Sequence, residues 1–300
     1  MLTTSVTETT NPATQNIDTL PTRAIVAAIA AEDMQVAPAV AAVGDAIAHL
    51  ADVVVERMRR GGRLIYIGAG TSGRLGTLDA AELPPTFSAD PSRVIALIAG
   101  GSDALVRAVE AVEDNQEQIK QDLAAVNVGP DDVVVGLAAS GRTPYVVSGV
   151  AEAKRHGAFV AGIACTTPSP LEDEVELMIT PVVGPEVVTG STRMKAGTAQ
   201  KLVLNTLSTT VMIQMGKTFG NLMVDLQPKN EKLRRRMINI VMTATGVDRE
   251  EAQHLLNEAG DETKTAIVMV LAGIDANTAR HRLAKNNGRV RDALHTNEQP

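Results

Sequence analysis

Five short apolar runs, near residues 63–68, 93–99, 132–138, 159–165 and 175–183, constrain the fold more than any other feature of the chain. They are rich in Val and Ile, show no polar–apolar alternation, and are separated by helix-length segments with polar patterning. A strand with one wet face alternates, whereas an unalternated strand is covered on both faces. Five such strands with helical crossovers predict an α/β fold. Its core is a doubly wound five-stranded parallel sheet in the flavodoxin-like order 2-1-3-4-5, with right-handed connections. A chain of 300 residues with 44% hydrophobic content has the material for that core.

Helical patterns flank the sheet region, two of them ahead of it at about 22–31 and 36–59. In the second, Val40, Val43, Ile47, Leu50, Val54 and Met58 make one apolar stripe that stops at Gly61-Gly62. Beyond residue 190 the pattern changes to one long helix over 191–215. An irregular linker then runs through Asp225-Leu-Gln-Pro228 to a charged helical tail. The tail repeats itself: Gly246-Val-Asp248, Ala252, His254 and Ala266-Ile267 recur 27 positions later as Gly273-Ile-Asp275, Ala279, His281 and Ala293-Leu294. This reads as a duplicated helical hairpin serving packing or oligomerisation. The expected division is a helical segment 1–60 packed on a sheet domain 61–228, followed by a small all-helical domain 229–300.

Composition excludes several function classes. A net charge of −7, three Phe, two Tyr and no Trp supply neither the basic field nor the stacking surface of a nucleic-acid binder. The first twenty residues have no basic start and no apolar core, and no uninterrupted apolar run approaches the roughly 18 residues of a membrane span. A cytoplasmic protein without membrane partners is expected. Cys165 lies in an apolar run and reads as a buried thiol. The five scattered histidines have no ligand spacing, so no metal is expected.

Residues 68–76, GAGTSGRLG, match the G-x-G-x-x-G fingerprint of dinucleotide sites. Such a site needs a carboxylate at the end of the second strand to hold the ribose, but that strand ends Leu97-Ile98-Ala99-Gly100-Gly101. Instead Ser-Gly-Arg occurs twice, at 72–74 after the first strand and at 140–142 after the third. In a 2-1-3-4-5 sheet these strands are neighbours, and the crevice opens at their carboxyl ends. Thr71, Ser72 and Gly73 from one loop and Ser140, Gly141, Arg142 and Thr143 from the other would then form a phosphate cradle. Small residues, hydroxyls and two helix N-termini together suit an anion. The bland alternative is that Ser72, Ser140 and Thr143 are helix caps.

The stretches GRLIYIGAGTSGRLGTLDAAELPPTF, VVVGLAASGRTPYV, VTGSTRMKAGTAQKLVLNTLST and GNLMVDL resemble the N-acetylmuramic acid 6-phosphate etherase family of the sugar isomerase (SIS) superfamily. The resemblance runs from about Asn11 into the repeat. It implies a SIS domain with a helical C-terminal domain, a homodimer, and no metal or nucleotide cofactor. The implied reaction is a lyase-type cleavage of the D-lactyl ether of N-acetylmuramic acid 6-phosphate to GlcNAc 6-phosphate and D-lactate, in the recycling of cell-wall sugars. Leu83 departs from the family, many members of which carry Cys there.

Direct hydrolysis of an ether has a poor leaving group and a weak nucleophile. Once the sugar opens to its aldehyde, the C2 proton is α to a carbonyl and the lactyl oxygen is β to it, so elimination followed by water addition is the easier route. That chemistry needs one carboxylate as base and one carboxylic acid, the latter in a drier setting. By spacing alone Asp79, Glu82, Glu110, Glu113 and Asp114 are all open. The resemblance implies Glu82 as the acid that protonates lactate and Glu113 as the base. The roles of Arg74 and Arg142 are open between phosphate and a structural carboxylate, and those of Ser191, Thr192 and Lys195 between the site and a dimer contact. An aldose–ketose isomerase and a non-catalytic sugar-phosphate sensor are the rival readings.

Overall fold

The structure is a computed structural model that describes residues 5–109, 111–226 and 231–295. Short 3-10 turns lead into α1 (Thr22–Asp33), α2 (Val36–Ala41) and α3 (Gly44–Arg59). The continuous helix expected over 36–59 is therefore two helices. The last turn of α2 tightens so that Val43 N donates to Val40 O at 3.2 Å, and the poor helix former Gly44 opens the next. The stripe survives the break, since Val40, Ile47, Leu50, Val54 and Met58 are all buried.

The sheet region follows as β1 (Leu64–Gly68), α4 (Gly70–Phe87), β2 (Val94–Ile98), α5 (Asp103–Val106), α6 (Gln116–Ala125), β3 (Val133–Leu137), α7 (Pro144–Arg155), β4 (Phe159–Ile163), β5 (Leu177–Ile179) and α8 (Lys195–Gln214). The strands form one parallel sheet in the order β2-β1-β3-β4-β5, the predicted order. Leu64 of interior β1 stands in register with both Val94 and Val133, and every residue of β1 and β3 is buried. The fifth run, expected over 175–183, pairs only over three residues. Pro181 has no N–H to give a ladder, and Val182 is exposed. The long helix begins at Lys195, four residues later than its pattern suggests.

A two-stranded hairpin, β6 (Thr218–Phe219) and β7 (Leu222–Met223), precedes the tail helices α9 (Glu231–Thr245), α10 (Arg249–Glu258), α11 (Thr263–Ala272), α12 (Ala276–Lys285) and α13 (Val290–His295). The expected linker continues into residues outside those described. Both copies of the 27-residue repeat are helical hairpins, α10–α11 and α12–α13. Gly246 and Gly273 take left-handed φ values of 82° and 64°, which halt the preceding helix. Asp248 and Asp275 then cap the next one through Glu251 N and through Asn277 N and Thr278 N. Ala252 and Ala279 are fully buried at matching positions.

By contacts the chain divides into two compact units: Met1–Ala80 with Pro91–Ser208, and Ala81–Asp90 with Thr209–Pro300. The first is built on the sheet, with Ile65, Ile67, Val134, Val146 and Val160 in its core. The second has its own core around Met237, Val241, Leu256, Ile267 and Ala293. Thr22–Ala41 has the length and mean hydropathy, 1.4, of a membrane span. Here it is the two helices α1 and α2, and Glu32 of α1 forms a buried ion pair with Lys195 of α8.

Candidate active site

The first loop is shaped by close approach between β1 and α4. A methyl group on Gly68 would stand 2.8 Å from Gly73 Cα, and one on Gly73 would stand 2.6 Å from Ile98 Cγ1. The glycine fingerprint here packs helix against strand and puts Thr71 and Ser72 in the first turn of α4. Ser72 Oγ donates to Gln200 Oε1 of α8 at 2.8 Å. Arg74 points away from the loop contents. Its Nε and Nη2 donate to the carbonyls of Ala104 and Arg107 at 2.9 and 2.8 Å, so it holds the α5 turn rather than a carboxylate or a phosphate.

The second loop turns at Gly141, whose φ of 63° suits glycine. A side chain there would collide with Ser169 at 2.5 Å. Thr143 precedes α7 but makes no side-chain cap bond, and Pro144 fills the first helical position. Its hydroxyl is not used by the helix. Ser140 Oγ accepts from Arg142 N at 3.3 Å, a local turn bond that leaves its proton free.

The two loops meet. Ala69, Gly70, Thr71 and Ser72 from one, and Ala139, Ser140, Arg142, Thr143 and Pro144 from the other, line one cavity of about 340 Å³ with Glu8, Glu113, Asp114 and Thr192. Gly73 and Gly141 shape the loops but do not line it. Glu113 is not on the helix expected after β2. It sits in a 3-10 turn, Val112–Asp114, entered through Ala111 at a left-handed φ of 61°. That conformation costs a non-glycine residue about 1 kcal/mol, a type of strain that gathers at functional sites. Glu113 and Asp114 are exposed at the cavity. Glu110 falls outside the described residues. Glu82 is exposed on α4, in the second unit, and is not among the lining residues.

Asp79 has the opposite environment. It is 4% exposed and accepts from Tyr66 Oη at 3.0 Å, Asn205 Nδ2 at 2.8 Å and Ser208 Oγ at 3.0 Å. Burial raises its pKa, and those three hydrogen bonds oppose the rise. Asp79 is thereby fixed as a tie between β1, α4 and α8. Lys195 neither lines the cavity nor reaches the surface. It is fully buried on Glu32, 2.5 Å away, while Glu186 accepts from Lys195 N and Ala196 N at 3.0 and 2.9 Å and so caps α8. Cys165 is buried, and burial first, with Glu186 second, pushes its thiol up to about 12. Its setting is that of a structural thiol. Among the described residues no group of His, Cys, Asp and Glu is placed to hold a metal ion.

Sequence reasoning missed Glu8 and Gln200. Glu8 reaches the cavity because the N-terminal segment is pinned to the stretch before α8. Asn11 Nδ2 donates to Pro185 O at 3.3 Å and Thr14 Oγ1 to Val187 O at 2.8 Å. These contacts span more than 170 residues, and no local pattern announces them. Hydroxyls, backbone N–H groups and two helix starts can hold an anion in this cavity, with carboxylates beside it able to move a proton.

Two family models match the chain: the glucokinase regulatory protein N-terminal SIS domain over residues 46–154 and the SIS domain over residues 105–210. The chain is 52% identical to N-acetylmuramic acid 6-phosphate etherase 1 of Vibrio cholerae, covering 98% of each chain. It is 53% identical to the N-acetylmuramic acid 6-phosphate etherase of Cutibacterium acnes, covering 98% of this chain and 96% of that one. The etherase of Klebsiella aerogenes is likewise 53% identical, over 96% of each. Among solved structures, a phosphoheptose isomerase from Francisella tularensis superposes with a TM-score of 0.51 at 18% identity, over 65% of this chain and 100% of that one. That likeness carries the fold alone.

Proposed function

The chain belongs to the N-acetylmuramic acid 6-phosphate etherase family, and from that premise we propose that it converts N-acetylmuramic acid 6-phosphate and water to GlcNAc 6-phosphate and D-lactate. The observation that carries the reading is the single cavity in which both hydroxyl-rich loops meet beside Glu113. Thr71, Ser72, Ser140 and Thr143, with Arg142, take the 6-phosphate; hydrogen bonds to a charged group, and guanidinium–phosphate pairs in particular, are the strong ones.

In the open-chain sugar Glu113 removes the C2 proton, and the electron pair forms the C2–C3 double bond as the C3–O bond breaks. Glu82, protonated, gives its proton to the departing lactate oxygen. Water then adds in the reverse sense, its proton passing to the Glu82 carboxylate and its oxygen to C3, while Glu113 returns a proton to C2. Support for the two roles comes from the family resemblance and, for Glu113, from its place at the cavity; Asp114 lines the same cavity and is the alternative base. The homodimer, the cytoplasmic setting, and a tail that packs rather than reacts belong to the same reading. Sedimentation should show a species of twice 31.5 kDa.

A second reading, a sugar-phosphate sensor without turnover, draws on the glucokinase regulatory protein model match. Incubating purified protein with N-acetylmuramic acid 6-phosphate separates them. The account expects stoichiometric D-lactate with the phosphorylated sugar and almost none with its unphosphorylated counterpart. Saturable binding without lactate would replace it with the sensor.

A further inference from the structure

Ser72 lines the cavity, yet its one proton points the wrong way for holding a phosphate. The hydroxyl donates to Gln200 Oε1 at 2.8 Å, so toward the cavity it offers only lone pairs, and a phosphate offers only acceptors. Gln200 is 1% exposed, and its Nε2, which carries two protons, has no hydrogen-bond partner. An unmade buried donor of this kind costs about 1–3 kcal/mol. Both mismatches ease together when the amide turns over by half a rotation about its last torsion. Nε2 then donates to Ser72 Oγ, the Ser72 proton is released toward the cavity, and the carbonyl end takes the unpartnered place, where an oxygen left bare is more readily tolerated than an N–H. The position suits the task. Gln200 lies one turn into α8, whose Gly197 is close enough to the first loop that a methyl group there would touch Thr71 Cγ2 at 3.4 Å.

We propose that Gln200 is a positioning residue for the phosphosugar: it holds Ser72 from behind by donating to Oγ and so makes the hydroxyl a donor to the phosphate. The proposal rests on reading the cavity as a phosphate cradle. It gives the buried amide a function that packing alone does not, because a Met or Leu of similar volume would fill the space without an unpartnered N–H.

The test uses the full chain and calorimetric titration with GlcNAc 6-phosphate, alongside thermal unfolding. Gln200→Glu keeps the shape but, when ionised, can only accept, and so it captures the Ser72 proton. Gln200→Met neither gives nor takes. Ser72→Ala should raise Kd about tenfold, the loss of one hydrogen bond to a charged group. Gln200→Glu should raise it at least as much, with the penalty growing as pH rises and the introduced carboxyl ionises. Gln200→Met should raise it two- to threefold, since Ser72 keeps a free proton but loses its support. In a Ser72→Ala background Gln200→Met should not weaken binding further, and Gln200→Glu should keep only the repulsion between its ionised carboxylate and the phosphate. The proposal falls if Ser72→Ala weakens binding while the Gln200 variants bind like wild type with no pH trend. It also falls if the loss from Gln200→Met adds fully to that of Ser72→Ala. If neither Ser72→Ala nor Ser140→Ala affects phosphosugar binding, the cradle reading itself fails and takes this proposal with it.

Discussion

Asp79 and Glu113 are two acids that sequence spacing could not rank, and the structure puts them in opposite circumstances. Asp79 is buried under three hydrogen-bond donors on β1 and α8. Glu113 stands exposed in a 3-10 turn at the wall of the cavity, next to a strained Ala111. A carboxylate saturated by fixed donors is held still and is slow to exchange its proton for a substrate's. One at a cavity wall, exposed on a short turn, is available. The difference separates fold from chemistry within one unit of the molecule.

The comparison is most exposed to failure in turnover. Glu113→Gln should cost about 10²–10⁴ in kcat and leave unfolding free energy within about 0.5 kcal/mol, as for an ordinary surface change. A wild-type rate would pass the role to Asp114. Asp79→Ala should do the reverse. It orphans the Tyr66 hydroxyl and the Asn205 amide and should lower stability by about 2–4 kcal/mol in denaturant titrations, with kcat of the folded protein close to wild type. Smaller effects are expected at the cradle: Ser140→Ala and Thr143→Ala should each weaken GlcNAc 6-phosphate binding by about 1–3 kcal/mol. Equal weakening toward the unphosphorylated sugar would show that the loop holds something else.

The smallest expected effect is a pH trend. Because burial raises the folded pKa of Asp79, the folded state favours its protonated form. The stability that this group contributes is full below the ordinary carboxylate pKa of about 4 and is lost as pH rises through the raised folded value. The stability of wild type relative to Asp79→Asn should therefore decline from pH 4 upward. A flat or rising difference would mean that the three hydrogen bonds outweigh burial.

Much of this was legible in the chain. Unalternated Val- and Ile-rich runs specified a parallel sheet, and its 2-1-3-4-5 order brought the loops at 71–73 and 140–143 to one crevice. The missing parts depend on contacts that periodicity does not encode. The turn that carries Glu113 follows from a left-handed Ala111 and a four-residue α5, where a helix pattern suggested continuity. Arg74 binds carbonyls of the α5 turn, a partner invisible to a search for opposite charges. Glu8 and Gln200 arrive from distant segments, and Lys195, read as a site or dimer-contact residue, is buried because Glu32 on α1 meets it.

The division of labour between the two glutamates is the central claim, and solvent deuterium entering C2 of N-acetylmuramic acid 6-phosphate tests it most directly. With the leaving-group acid removed, Glu113 still takes and returns the C2 proton while lactate stays attached. Glu82→Gln should therefore incorporate deuterium in recovered substrate yet release little lactate. Glu113→Gln should show neither exchange nor release, in both cases with the variants folded and binding substrate. The reverse pattern, exchange in Glu113→Gln and none in Glu82→Gln, would contradict the assignment and swap the two roles.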